Sequence, residues 1–446
     1  MSTSDHKMPK GISYIIGNEF AERFSFYGMK AILVVFMTKY LVDSSGNLAL
    51  MSESESNFWY HTFVMFTYFT PLIGAIISDV FLGKYKTIIY LSIVYCLGHL
   101  ALALDETRLG LTIGLTLIAM GSGGIKPCVS AHVGDQFSSD NKGLLNVVFK
   151  YFYLAINLGS VISMLLTPLL LSWYGPHVAF GVPGLLMLVA TILFWAGRNE
   201  FIAIKPVGPK KYWEALTSDQ GKKAITNLVP VYLLVALFWA IFDQTGSALV
   251  HQADKMNRLV DFGFLQFELL PSQVQAINPF LVILFIPLFT FSIYPFLEKF
   301  LSLSGLRKIT IGMFLGALSF VICALVQNQI DLGNNPSILL QVVVYIILTA
   351  AEIFVSITAL EMAYTQAPNS LKSFIMSFYL LSVALGNFIT AFINGINEQA
   401  DGSLLLEGSS YYWFFAGLAV IAGFMLLIMS ARYKEVLFVQ PEEMRE

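Results

Sequence analysis

Twelve runs of mainly apolar residues, each close to the roughly 20 that a helix needs to cross a bilayer, occupy 14–38, 58–80, 86–104, 109–132, 145–170, 178–197, 225–250, 274–297, 307–326, 337–362, 371–395 and 411–431. Hydrocarbon offers a backbone no hydrogen bonds, so runs of this length must form helices that satisfy their own polar groups. The same runs argue against a β-barrel, whose strands would be about ten residues long and alternate in polarity. Charged residues make up only 12% of the chain, about half of what a soluble protein carries. The reading is therefore all-α: a polytopic membrane protein with 12 transmembrane helices. The first run follows MSTSDHKMPKG with no small-residue cleavage site. It is also too long for a signal peptide and is expected to be a retained span.

The basic residues orient the spans. With the N-terminus in the cytoplasm, 18 of the 26 Lys and Arg fall in cytoplasmic segments: Lys7, Lys10, Lys84, Lys86, Lys142, Arg198, Lys205, Lys210, Lys211, Lys222, Lys223, Lys299, Arg307, Lys308, Lys372, Arg432, Lys434 and Arg445. Only Lys39, Arg108, Lys255 and Arg258 fall on the other side. This bias places both termini in the cytoplasm. The longest cytoplasmic segment, 198–224, is rich in Lys, Pro and Gly. It divides the chain into a six-helix bundle at 1–197 and another at 225–446. That plan suits a transporter in which one bundle rocks against the other, although any twelve-helix protein, a channel included, could share it.

Four basic residues remain inside spans: Arg23, Lys30, Lys126 and Lys150. The mid-span acids are Glu19, Glu22, Asp243 and Glu352, with Asp79 and Glu361 nearer the ends. A charge in hydrocarbon costs several kcal/mol, so each is expected to line a cavity or meet a partner. Glu19, Glu22, Arg23, Phe26, Tyr27 and Lys30 recur every three or four residues and form one polar stripe on the first helix. Counting residues from the cytoplasmic surface puts Glu22 level with Lys126, and Lys30 level with Asp243, so each is expected to pair across helices. Arg23, Lys30 and Lys126 on one bundle face Glu352 on the other, an arrangement that suits a zwitterion such as a short peptide. A set of purely structural ion pairs is the alternative. Tyr27 and Tyr68 are candidate hydroxyl donors in that cavity. His61 shares a helix face with Tyr68 at the depth of Asp243, where it could exchange protons near neutrality or rest neutral at the interface.

Pro127 follows Gly121, Gly123 and Gly124 beside Lys126, a sequence that lets the helix bend. Pro71, Pro168, Pro183, Pro279, Pro287 and Pro295 are expected to break other spans. The cysteines Cys96, Cys128 and Cys323 lack metal-ligand spacing and are expected to fill space. No HExxH, GxSxG or GxxxxGK[ST] appears, and none of the patterns of an enzyme or nucleotide-driven pump is present. No basic cluster suggests nucleic acid. The energy source is then an ion gradient, and paired intramembrane carboxylates favour protons, with no other cofactor.

Several motifs carry a family resemblance along the whole chain. E-F-A-E-R-F-S-F-Y-G, Glu19 to Gly28, fits ExxERFxYYG except at Phe26, and F-Y-L-A-I-N-L-G, Phe152 to Gly159, fits FYxxINxG. G-A-I-I-S-D-V-F-L-G-K-Y-K (Gly74 to Lys86), G-G-I-K-P (Gly123 to Pro127) and E-M-A-Y-T-Q-A-P (Glu361 to Pro368) add to these. The chain thus resembles the proton-dependent oligopeptide transporter family of the major facilitator superfamily. The resemblance implies a proton-coupled symporter that imports di- and tripeptides by alternating access. Glu19, Glu22 and Arg23 match residues that couple proton and peptide binding, with Lys126 as partner. Lys30 stands where arginine is usual and is expected near the peptide carboxylate. Asn157 and Asn278 match asparagines that bind peptide backbone, and Glu352 matches the acceptor of the amino terminus. His61 matches a proton-coupling histidine of animal members, and Asp243 matches the acid paired with it or with the gate. Tyr27 and Tyr68 match cavity tyrosines.

Two departures bear on recognition: Phe26 loses a hydroxyl, and Lys30 replaces a bidentate donor with a point charge. The 27-residue linker is too polar to cross the membrane twice, unlike the two extra helices of many bacterial members. The connection of about ten residues between spans nine and ten lacks the large external domain of animal members. The expected setting is therefore a bacterial inner membrane, where the chain works as a monomer in contact with lipid. A related carrier of another small solute, or a non-transporting peptide receptor, is the alternative.

Overall fold

The computed structural model describes residues 8–137, 141, 144–202, 204, 206, 208–210, 214, 217–261, 263–366 and 372–433, without the side chains of 146, 220 and 372–374. Lys7, Lys142, Lys205, Lys211, Lys434, Arg445, Ala367 and Pro368 lie outside the described residues, as does the Lys372 side chain.

The six helices of the first bundle are α1 (Ile12–Lys39), α2 (Glu53–Ile76), α3 (Lys84–Leu104), α4 (Arg108–Asp135), α5 (Leu145–Tyr174) and α6 (Pro176–Ala196). In the second, α7 runs over Asp219–Phe242 and resumes at Ala248–Asp254, and α8 covers Ile277–Leu288 and Tyr294–Leu297. The remaining helices are α9 (Gly305–Asp331), α10 (Leu339–Glu352, then Thr358–Thr365), α11 (Lys372–Asn397) and α12 (Ser409–Ser430). Eleven of these helices are long and apolar enough to span a membrane by composition. The twelfth, α1, has 28 residues but carries the four charges Glu19, Glu22, Arg23 and Lys30. A short antiparallel hairpin, β1 (Leu259–Asp261) with β2 (Gln266–Glu268), follows α7 and was not expected from the sequence. Its turn is held by the Asp261 carboxylate, which accepts from the Gly263 N–H and the Gln266 amide. Those bonds hold the carboxyl below its ordinary range.

Local chemistry explains the helix starts. Ser52, Thr107 and Ser218 each accept the backbone N–H three residues on, satisfying donors at the starts of α2, α4 and α7. Gly83 and Gly175 join α2 to α3 and α5 to α6 with φ of 78° and 79°, a backbone conformation that a Cβ would strain.

The expected proline breaks are met in α8, whose interruption lies between Pro287 and Pro295, but not in the first bundle. Pro71, Pro127, Pro168 and Pro183 lie within unbroken α2, α4, α5 and α6. Backbone ligands from neighbouring helices and local adjustment tolerate proline in lipid. The interruptions among the described residues fall at a 3₁₀ turn, Asp243–Gly246 in α7, and at wide π turns: Phe289–Ile293 in α8, Ile353–Ile357 in α10 and Ile77–Leu82 after α2. Two of them begin at or immediately after a mid-span acid, Asp243 and Glu352, consistent with the use of such irregular turns at functional sites.

Each bundle closes around its own apolar core. Ile15, Phe36, Phe180 and Phe194 are buried in the first, and Phe238, Phe320, Tyr345 and Phe415 in the second. Without a hydrophobic force between helices in lipid, close approach relies on small residues. A Cβ on Gly74 of α2 would lie 2.4 Å from the Gly124 Cα of α4. Because the obstacle is backbone, Gly74→Ala is expected to destabilise the protein by about 1–3 kcal/mol. Gly417→Ala on α12, where a Cβ meets nothing within 4 Å, should be neutral or slightly stabilising. Thermal unfolding of the two variants in detergent checks the contrast.

Candidate functional site

The site is assembled in three layers between the bundles. The deepest is the stripe on α1. Glu19 and Glu22 are both about 2% exposed. The Arg23 Nε donates to Glu19 Oε1 at 2.6 Å and lies 3.2 Å from Glu22 Oε2. The expected Glu22–Lys126 pair is not formed. Lys126 Nζ stands 4.0 Å from the Phe26 ring centre and 4.4 Å from that of Tyr68, with no hydrogen-bond partner among the described residues. Arg23, one turn or less from both acids on the same helix, reaches them first, and the aromatic faces supply a partial counter-charge to the lysine. Phe26, the departure from the tyrosine pattern, is one of those faces.

The second layer joins the bundles. Lys30 pairs with Asp243 at 3.3 Å, as its depth predicted. Asn387 of α11 donates to Asp243 Oδ2 at 2.7 Å and accepts from His61 Nδ1 at 2.7 Å. His61 Nε2 lies 2.7 Å from the Ser247 hydroxyl. Because the Asp243 bond turns the Asn387 nitrogen toward the carboxylate, its oxygen faces His61 and Nδ1 must carry the proton. Ser247 can then donate to Nε2, so a neutral His61 is satisfied at both nitrogens. The ring is fully buried, so it is not an interfacial histidine. Asn387 bridges it to Asp243 by hydrogen bonds. The break in α7 makes this layer possible, since Gly246 lets the Tyr60 hydroxyl approach to where a Cβ would stand and turns Ser247 toward His61.

Further bonds extend this seam toward the face opposite the start of α1. They include Gln275 to the Ala31 carbonyl, Gln273 to the Leu165 carbonyl, Asn57 to Asn394, Ser52 to Glu398 and Lys39 to Asp254.

The third layer is a cavity of about 310 Å³. Tyr27, Tyr153, Asn157 and Ser160 line it from the first bundle, and Asn278, Glu352 and Ser356 from the second. Ile156, Met164, Val282 and Ile286 supply apolar wall. Asn278 donates to Glu352 Oε2 at 2.7 Å and to Thr349 at 3.1 Å, which fixes the carboxylate beside the π turn of α10. Glu352 Oε1 accepts nothing from the described residues. Asn157 spends its Nδ2 on the Tyr153 carbonyl, so its oxygen is available to a ligand N–H.

Four of the seven residues expected to hold substrate, Tyr27, Asn157, Asn278 and Glu352, thus line one cavity. Lys30, Tyr68 and Lys126 do not: Lys30 is held by Asp243, and Lys126 lies against Phe26 and Tyr68. The basic wall expected opposite Glu352 is withheld from the cavity in this conformation. Asn387 and Ser247 were missed, as were Tyr153 and the Ser356–Tyr379 pair at 2.7 Å. All are uncharged polar groups in apolar runs, and a search for every mid-span hydrogen-bonding side chain would have found them.

A family model described as the POT family matches residues 85–214 and 207–414. The chain belongs to the POT family. It is 40% identical over 402 residues to solute carrier family 15 member 2 of Rattus norvegicus, covering 79% of this chain and 53% of the relative. It is 37% identical over 369 residues to peptide transporter family 1 of Drosophila melanogaster, covering 72% and 48%. The chain therefore spans about half the length of the curated relatives it matches. Among solved structures, an auto-inhibited POT family peptide transporter superposes with a TM-score of 0.86 at 32% identity, covering 97% of this chain and 99% of that one. The POT family transporter PepTSo gives 0.84 at 34% identity, covering 96% and 99%. The two six-helix bundles are accordingly the POT arrangement of the major facilitator fold.

Proposed function

We propose that this POT family chain is a proton-coupled symporter that imports di- and tripeptides by alternating access. The observation that carries the reading is the central cavity. Glu352 and Asn278 on one bundle face Tyr27 and Asn157 on the other, beside an α1 stripe of two buried carboxylates sharing one arginine. Short peptides have an ammonium for Glu352 and a backbone for the two asparagines. The peptide-transporter names of its relatives support the same substrate class.

The positive-inside bias supports cytoplasmic termini, and the short α9–α10 connection supports a bacterial inner membrane. On that orientation the closed seam lies outside, and the moving units are 1–197 and 225–446 joined by 198–224, in a monomer. Lys30 is then the link between substrate and gate. A peptide carboxylate competing for Lys30, together with a proton on Asp243, removes the attraction that closes the seam. Glu19, Glu22 and Arg23 hold the coupling proton, with Lys126 and Tyr68 beside them, and His61 and Asn387 relay the state of Asp243 across the bundles.

Uptake of labelled dialanine into proteoliposomes with an acidic exterior tests this reading. Accumulation should collapse with a protonophore. Dialanine and trialanine should compete strongly, alanine and tetraalanine weakly. Equal competition by alanine and dialanine would reject recognition through both termini, and accumulation indifferent to the protonophore would reject coupling.

A further inference from the structure

A second cavity, of about 260 Å³, opens at the face opposite the start of α1, between the tips of α2, α7, α9, α11 and α12. Three carboxylates, Glu53, Asp331 and Glu407, line it against one lysine, Lys255. That lysine is already paired with Glu53 at 2.8 Å.

Many of the amide donors in its wall are already spent within the protein, while several acceptors are not. The carboxamides Asn57, Gln252, Gln327, Asn394 and Asn397 each spend an N–H on a protein acceptor. Asn57 is 6% exposed, and its Oδ1 is buried with no hydrogen-bond partner among the described residues. His251 is also committed. The Ser56 hydroxyl donates to the Glu53 carbonyl at 2.9 Å, so at 3.0 Å it can only accept from His251 Nε2. The ring proton is therefore on Nε2, and Nδ1 is a lone-pair acceptor with no bond to the described residues. The Glu407 carboxylate accepts no hydrogen bond from them either.

We propose that this cavity is a binding site for the primary ammonium group of a small organic cation, separate from the central peptide cavity. Its chemistry favours a donor-rich cation, since the residues that line it carry excess negative charge, an orphaned amide oxygen and an imidazole lone pair. An anion would meet three carboxylates, and a neutral apolar group would leave Asn57 Oδ1 unpaired at a cost of about 1–3 kcal/mol. The site straddles the seam, with Glu53 and Asn57 on one bundle and His251, Asp331 and Glu407 on the other. An occupant therefore favours the closed seam, by as much as its affinity depends on both walls being together.

Ethylammonium is the probe, titrated against the full chain in detergent and read by saturation-transfer NMR. Binding in detergent requires no transport, so the result is independent of the transport reading. A Glu352→Gln background removes the ammonium acceptor of the central cavity. There, Glu407→Gln should weaken binding about fivefold, and Lys255→Met, which frees Glu53, should tighten it about fivefold. Opposite shifts from two surface variants cannot come from a common loss of folding. Equal affinities in all three proteins, or no saturable binding in the Glu352→Gln background, would overturn the proposal.

Discussion

Glu22→Gln should abolish proton-driven accumulation of a dipeptide while leaving exchange of labelled for unlabelled peptide across the membrane intact. The substitution keeps the shape of the side chain and removes its ability to take up and release a proton. Arg23 gives the reason to single out Glu22 rather than Glu19. Its Nε donates to Glu19 at 2.6 Å, whereas neither Glu22 oxygen has a hydrogen-bond partner among the described residues, and its charge is offset by Arg23 at 3.2 Å and, beyond pairing distance, by Lys126. A buried carboxylate so weakly compensated is the group whose proton can move at least cost. Glu22→Gln leaves the Arg23–Glu19 bond in place, so the protein should fold and bind peptide. Accumulation should fall by at least about tenfold, toward simple equilibration, while exchange stays within about twofold of wild type. Exchange moves no net protons, so its loss in parallel with accumulation would point to damaged binding and count against a coupling role. Gradient-driven uptake at the wild-type level would remove Glu22 from the proton path.

The division between what could and could not be read from sequence follows the physics of burial. The stripe on α1 was legible because charges in an apolar helix are rare, and a spacing of three and four places them on one face. Depth counting paired Lys30 with Asp243 correctly, since both sit on helices that meet at the seam. The same counting failed for Glu22 and Lys126, because depth says nothing about azimuth and ignores the competing arginine one residue from Glu22. The break in α7 at Asp243–Gly246 has no proline to mark it, while prolines in α2, α4, α5 and α6 are absorbed without a break. Asn387, Ser247 and Tyr153 carry no charge and were hidden in apolar runs. Yet Asn387 joins Asp243 to His61 through a hydrogen bond to each. Glu352 and Asn278 lie on different helices, so their contact is a fact of packing, although each was individually conspicuous in the sequence.

That contact sharpens the second expected result. Glu352→Gln should weaken binding of an ordinary dipeptide about 30-fold and leave binding of its N-acetylated form nearly unchanged. Asn278 donates to Oε2 at 2.7 Å and Thr349 shares the same amide, so one carboxylate oxygen is fixed and the other is free for a ligand. A charged acceptor meeting an ammonium contributes about 1.5–3 kcal/mol, and a neutral amide roughly half of that or less. A loss of about 2 kcal/mol corresponds to about 30-fold in Kd. The substituted glutamine keeps an acceptor for Asn278, so the cavity wall should hold its shape. The N-acetyl dipeptide has no ammonium and already forgoes the charged contact, so it has little to lose. If Glu352 instead carried the coupling proton or only packed the π turn of α10, both ligands would weaken by the same factor. The measurement is binding of the two forms of one dipeptide to wild type and variant at a single pH. A ratio of losses near one would end the assignment of Glu352 to the peptide amino terminus, whatever the variant does to transport. A ratio of ten or more would fix the polarity of the bound peptide, amino end toward α10, and leave Lys30, once released from Asp243, as the group its carboxylate must find.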